Sequence, residues 1–228
     1  PAQGLSGPGW AVDGLCVNAA NLGGDHHDWF LLPDGRLVLA IGDVAGHGIP
    51  ASLVVASVKM ALALNAEEEK DPAVVLAQVD RCLREQTGRI RPMAFWLGFL
   101  DIETKRLRFS SAGACFPLVL KHGGKPFFLE GKGYPLTSRK NPVFSSETID
   151  LSPGDRLVMY TDGFIEGVNR DGVQFGYDRL TGFFEARAHR SLPDLLPEFL
   201  AECRKWTGRH HQPDDDQTVM ILDILEKA

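Results

Sequence analysis

Short apolar runs divided by turn signals fill the first forty-odd positions, and the period then changes. Trp10 to Val17, Asp28 to Leu32 and Leu37 to Ile41 read as successive antiparallel strands, with Pro33-Asp34-Gly35 as the clearest turn. From His47 to Asn65 the pattern becomes helical. Pro50 falls in the first turn, where it is tolerated, and Ala, Leu, Val and Met follow on nearly every side, which predicts a buried helix. Asp71-Pro72 has the form of an N-cap followed by proline at the first helical position, opening a second helix to about Thr87. On that helix the charged residues Asp80, Arg81, Arg84 and Glu85 fall on one side.

After Pro92 the strand period returns: Ala94 to Ile102, Leu107 to Ser111, Pro117 to Lys121, Pro126 to Leu129, Val143 to Leu151 and Arg156 to Tyr160. Two helices, Tyr177 to Ala188 and Ser191 to Trp206, precede a last strand from Thr218 to Leu225. Many antiparallel strands with two separated pairs of helices predict the α+β class, a layered β-sandwich flanked by helices. A parallel α/β sheet would need helices alternating regularly with strands, and they do not.

At 228 residues and 44% hydrophobic, the chain can bury a full core as a single domain over 1–228, with its motifs between about 22 and 225. The net charge of −6, with no Lys/Arg stripe interleaved with aromatics, argues against nucleic acid and for a protein or small-molecule partner. The four cysteines are widely spaced and lack zinc-ligand spacing, which predicts reduced thiols and a cytoplasmic setting. No apolar run approaches the length needed to cross a bilayer, so no membrane contact is expected of this domain. The opening Pro1-Ala2-Gln3-Gly4 lacks an initiator Met and is expected to follow a sensor or response-regulator domain in a longer protein.

Four short acidic motifs carry the candidate chemistry: Gly23-Gly24-Asp25, Gly42-Asp43-Val44, Thr161-Asp162-Gly163 and Asp214-Asp215-Asp216-Gln217-Thr218. Each lies beside a predicted strand. Carboxylates at strand ends can converge although distant in sequence, and convergent carboxylates suit hard divalent cations such as Mg²⁺ or Mn²⁺. A metal-dependent enzyme acting on phosphate is the leading reading.

The order of these motifs, with Gly-Asp-Val-Ala-Gly-His-Gly entering an Ala-rich helix, Ser111-Ala112-Gly113, Pro153-Gly154-Asp155, Phe175-Gly176 and the closing Asp-Asp-x-Thr-Val, resembles the metal-dependent Ser/Thr protein phosphatases, specifically the bacterial SpoIIE/RsbU branch of the type 2C-like group. The resemblance spans roughly Leu22 to Leu225. It implies two divalent cations, Mn²⁺ or Mg²⁺, held by Asp25, Asp43, Asp162 and Asp215. Asp43 would bridge both, the Val44 carbonyl and Asp25 would complete one ion, and Asp162 and Asp215 would hold the other. It further implies in-line attack by a shared hydroxide on phosphoserine or phosphothreonine of a regulatory protein, such as an anti-sigma-factor antagonist in a partner-switching pathway. A homodimer or an N-terminal regulator docked on the helical pair is also implied, with Val75, Val79 and Leu83 of the second helix expected as exposed apolar residues that make the contact.

Asp215 or Asp216 could be the ligand, alignment on Asp-Asp-x-Thr selecting Asp215, and Asp214 is expected to be exposed. Asp28 is expected in a turn. His47 is a candidate general acid for the departing alkoxide, or alternatively a helix cap or a residue that orients the metal loop. His26, His27, His210 and His211 are expected to be solvent-exposed, and the tryptophans buried. The chain departs from the family pattern at Ala114, where relatives carry His, and in Met93-Ala94-Phe95-Trp96, where a Thr is common. A non-catalytic adaptor that binds a signalling partner is therefore the alternative reading.

Overall fold

Strand pairing sorts this chain into two antiparallel sheets. The computed structural model describes residues 3–86, 91–208 and 212–226. In chain order the first elements are β1 (Leu5–Gly7), β2 (Trp10–Val17), β3 (Asp25–Leu31), β4 (Arg36–Val44), α1 (Ile49–Ala66) and α2 (Pro72–Gln86). Then come β5 (Met93–Asp101), β6 (Arg106–Ala112), β7 (Leu118–Leu120), β8 (Phe127–Phe128), β9 (Ser146–Asp150) and β10 (Arg156–Tyr160). The last are α3 (Asp162–Ile165), α4 (Gly176–Glu185), α5 (Leu192–Thr207) and β11 (Gln217–Ile224). Two antiparallel sheets with flanking helices are the α+β class that the pattern predicts.

One unit comprises Ala20–Cys115 and Glu130–Leu151. Its sheet runs β3-β4-β5-β6-β9. The central strands β4 and β5 are almost wholly buried, as their near-continuous apolar sequences require. Helices α1 and α2 pack together, α1 on β4 and α2 on β5 and β6. Asp71 caps α2 as expected: its carboxylate accepts the Ala73 N–H at 3.0 Å, and its carbonyl accepts the Val74 and Val75 N–H groups.

Both helices correct the sequence reading, in opposite directions. Helix α1 buries one face, Ala51, Val58, Ala61, Leu62 and Ala66, while Ile49, Leu53, Met60 and Leu64 are 58–72% exposed. Contrary to the expectation about apolar runs, α1 is by length and composition alone apolar enough to cross a membrane, although one face packs into this unit's core. On α2, Val75, Val79 and Leu83 are core residues rather than exposed ones, and Asp80 is buried as well. The Asp80 carboxylate accepts from Arg84 Nε and from the Thr137 N–H, each at 2.6 Å, which satisfies a charge that the helical pattern places on the wet side.

The other unit comprises Pro1–Ala19, Phe116–Leu129 and Ser152–Ala228. Its sheet runs β1-β2-β11-β10-β7-β8, with α5 packed on β2 and β11. Strand β11 is buried at every position. Within it Asp223 receives Arg156 of the neighbouring β10 through Nε at 2.5 Å and Nη2 at 2.8 Å, a two-pronged pair that keeps both buried charges satisfied. Phe164, Phe175, Phe183 and Phe184 surround Phe199 of α5. Trp10, Trp29 and Trp96 are buried as expected, whereas Trp206 is half-buried.

Candidate metal centre

The first acidic pair is built by one strand register. Antiparallel pairing sets Asp25 of β3 directly opposite Asp43 of β4, so the two carboxylates share a face at one end of the ladder. Glycines make the approach possible. A Cβ on Gly24 would lie 2.8 Å from the Gly46 carbonyl oxygen and 2.9 Å from that of Val44, and one on Gly42 would lie 2.4 Å from the Phe95 ring. The Val44 N–H donates to the Gly24 carbonyl at 3.1 Å, locking the two motifs together. Ser52 of α1 donates to the Gly23 carbonyl at 3.0 Å, which ties the start of that helix to the Asp25 segment.

Strand alternation sends the neighbours of Asp25 to different faces. His26 is buried, stacked on Phe95 with ring centroids 5.7 Å apart, and His27 is half-buried, so the expectation of exposure fails for both. Burial pushes each imidazole down to about 4. Asp28 is not in a turn. It lies within β3, buried, and pairs with Lys59 of α1 at 3.1 Å. His47 is exposed between Gly46 and Gly48, and Gly48, not His47, caps α1. His210 and His211 lie outside the described residues.

In the other unit, Asp162 opens the short helix α3 rather than ending a strand. Thr161 and Thr218 fasten it to β11: the Thr161 N–H donates to the Thr218 carbonyl, and the Thr218 N–H to the Thr161 hydroxyl, each at 3.0 Å. Gln217 donates from Nε2 to the Gly163 carbonyl at 3.0 Å. Burial pushes the Asp162 carboxyl up, and the negative charges of Glu166 and Asp215 add to the shift. Asp216 is buried, its carboxylate accepting the Ala19 N–H at 2.7 Å, while Asp215 is exposed. That division favours Asp215 over Asp216 as the group open to a ligand. Asp214 is exposed, as expected.

The four aspartates thus stand as two pairs, one in each unit. Among the described residues no three His, Cys, Asp or Glu side chains gather into a metal cluster. Each pair nevertheless fits a dication. Like charges set directly opposite across a ladder repel, and a buried carboxyl raised by neighbouring acids is relieved by a cation. The sequence places Thr161 and Gln217 in its motifs without a role, and does not single out Glu166. For Glu166 the signal was available, since it lies one helical turn after Asp162.

Residues 33–225 match the family model described as stage II sporulation protein E (SpoIIE). The chain belongs to the SpoIIE family. Among SpoIIE-like relatives, it is 23% identical over 215 residues to the phosphoserine phosphatase RsbP of Bacillus subtilis, covering 92% of this chain and 51% of that protein. It is 24% identical to the phosphoserine phosphatase RsbU of the same organism over 212 residues, covering 92% of this chain and 62% of that protein. The chain therefore spans about half to three-fifths of these relatives' lengths. Among solved structures, the SiaA PP2C domain of Pseudomonas aeruginosa superposes with a TM-score of 0.81 at 24% identity, covering 93% of this chain and 85% of that one. The RsbU and RsbW domains of Rv1364c from Mycobacterium tuberculosis give 0.80 at 27%, covering 97% and 61%. The fold is that of the PP2C-like phosphatases.

Proposed function

We propose that this SpoIIE-family chain is a Mn²⁺- or Mg²⁺-dependent phosphatase acting on phosphoserine or phosphothreonine of a regulatory protein, such as an anti-sigma-factor antagonist. The observation that carries the reading is the family match over residues 33–225, which spans three of the four acidic motifs, Gly23-Gly24-Asp25 lying just before it. The names of RsbP and RsbU, both phosphoserine phosphatases, support it.

Asp25, Asp43 and the Val44 carbonyl would hold one ion, and Asp162 and Asp215 a second. When bound, such ions supply water activation near neutral pH and neutralise phosphoryl charge. The chain's own part is to hold its carboxylates fixed through the β3–β4 register and the Thr161–Thr218 contacts. His47, four residues beyond Asp43 and exposed outside α1, would protonate the departing serine oxygen.

A cytoplasmic setting belongs to the same reading; none of the four cysteines is in a disulfide, which supports it. So does association with a second copy through α1, where the exposed Leu53, Met60 and Leu64 follow the seven- and four-residue spacing of a coiled-coil seam. A shift from dimer to monomer in Leu53→Glu/Leu64→Glu by sedimentation velocity is the expected sign of that contact, and an unchanged state refutes it. An N-terminal sensor or response-regulator domain supplies the input in this reading.

The test of the activity is hydrolysis of an aryl phosphate and a phosphoserine peptide with Mn²⁺ and with chelator, beside Asp43→Asn. Turnover that needs metal and vanishes in the variant is expected. A folded protein silent with every metal would instead make it an adaptor.

A further inference from the structure

The last turn of α5 and the segment 212–215 border a cavity of about 250 Å³ within one unit. Asp215 lines it, together with Glu166, Arg204, Thr207, Asp214 and Gln217. Its α5 wall is firmly held. The Thr207 hydroxyl donates to the Cys203 carbonyl at 3.1 Å, Cys203 is buried, and Gly208 ends the helix in the left-handed region at φ 69°. Gly167 permits this wall to stand close, since a Cβ there would lie 3.2 Å from the Thr207 methyl.

Arg204 is the one cation among the described residues lining the cavity, where it stands with three carboxylates, Glu166, Asp214 and Asp215. It is half-buried, and among the described residues its guanidinium forms no ion pair, although Arg187 and Arg190 of the same unit both engage Glu198. A space lined by carboxylates repels a phosphomonoester dianion. Cations held by Asp215 would offset only part of that, since Glu166 lines the same space. A guanidinium offers two parallel N–H donors matched to two phosphoryl oxygens, and an ammonium offers only a point charge.

We propose that Arg204 grips the phosphoryl group of the substrate in this cavity, making it a substrate-binding residue of the phosphatase. The inference rests on the activity proposed above. It assigns the cavity beside Asp215 to a phosphomonoester, with Arg204 as its specificity-determining contact and Thr207 as part of the wall that fixes the arginine's helix.

The experiment is calorimetric titration of inorganic phosphate into the Mn²⁺-loaded full chain and its Arg204→Ala and Arg204→Lys variants. KM for a phosphoserine peptide and the thermal midpoint are measured on the same samples. Arg204→Ala is expected to weaken phosphate about tenfold and to raise KM in step, with Arg204→Lys between the two. Mn²⁺ half-saturation should stay where it is. Equal phosphate affinity in all three proteins overturns the inference, as does a fall in thermal midpoint with phosphate binding intact, which would make Arg204 a partner of Glu166 or Asp214. Should Arg204→Ala fail to fold, the lysine variant decides, because it keeps the charge and loses the fork. A wild-type protein that turns over nothing refutes the phosphatase reading separately, and the phosphate titration still decides the role of Arg204.

Discussion

The side-chain amide of Gln217 donates to the main-chain carbonyl of Gly163 at 3.0 Å, a buried bond that joins the first residue of β11 to the turn carrying Asp162. The same two segments touch where Gly163 has no side chain: a Cβ there would lie 2.1 Å from the Asp216 carbonyl oxygen. Asp162 and Asp215 are therefore held by backbone on both sides, although their carboxylates repel.

Gln217→Leu keeps the volume and removes the donor, leaving the Gly163 carbonyl without that partner in a buried setting. The expected loss is roughly 1–3 kcal/mol of stability. Mn²⁺ affinity should fall as well, because the spacing of Asp162 and Asp215 is no longer fixed. Thermal unfolding with and without Mn²⁺ separates the two: a variant whose midpoint drops while its Mn²⁺ titration overlays the wild type would show that the bond serves only the fold.

How far this arrangement could be read from the sequence depends on the residue. Asp25 and Asp43 were legible because each follows a glycine that only close backbone packing explains, and their strands lie next to each other in the chain. Asp162 was recognised as a candidate ligand but not as the start of α3, since a helix of four residues leaves no period to detect. The faces of α1 and α2 were misassigned for a different reason. Periodicity shows where polar residues cluster, not which face has neighbours, and here Leu62 and the smaller residues of α1 meet the core while Ile49, Leu53, Met60 and Leu64 face out. Asp80 shows the converse, a charge taken inward because Arg84 and the Thr137 N–H were there to receive it.

That inversion predicts opposite outcomes for two similar substitutions. Leu64→Glu, at a position 72% exposed in the monomer, should change stability by no more than about 0.5 kcal/mol at protein concentrations low enough to keep the chain monomeric. Val79→Glu places an unpaired carboxylate among Leu76, Leu83 and the sheet, and should cost roughly 3 kcal/mol or more, enough to unfold much of the population. Urea denaturation of both variants checks the assignment, and equal midpoints would refute it.

The hairpin between β5 and β6 carries a pH signature. The Asp101 carboxylate accepts the Thr104 and Glu103 N–H groups, each at 2.9 Å, and these bonds, that of Thr104 foremost, hold its carboxyl below the usual range. A carboxyl lowered on folding adds stability above its unfolded pKa of about 3.9 and loses it as pH falls through the folded value. Asp101→Ala should therefore melt earlier than wild type at neutral pH, with the gap closing below about pH 3.9. The side chain is exposed, so the effect is small. A gap that persists unchanged into acid would mean that the turn does not depend on the charge.

His47 makes the sharpest claim about chemistry, because a general acid matters in proportion to how poor the leaving group is. A serine alkoxide needs a proton as the bond to phosphorus breaks, whereas an aryl oxide departs with little help. If His47 supplies that proton, His47→Ala should lower kcat on a phosphoserine peptide by about 10²-fold or more and leave aryl phosphate turnover nearly intact. A histidine that only shapes the Gly46–Gly48 turn would affect both substrates alike, through the position of Asp43. Its exposure outside α1 makes the first outcome the expected one, since a side chain that caps nothing in the helix is free to reach the substrate. Equal losses on both substrates would return His47 to a structural role and leave the leaving oxygen to be protonated by water.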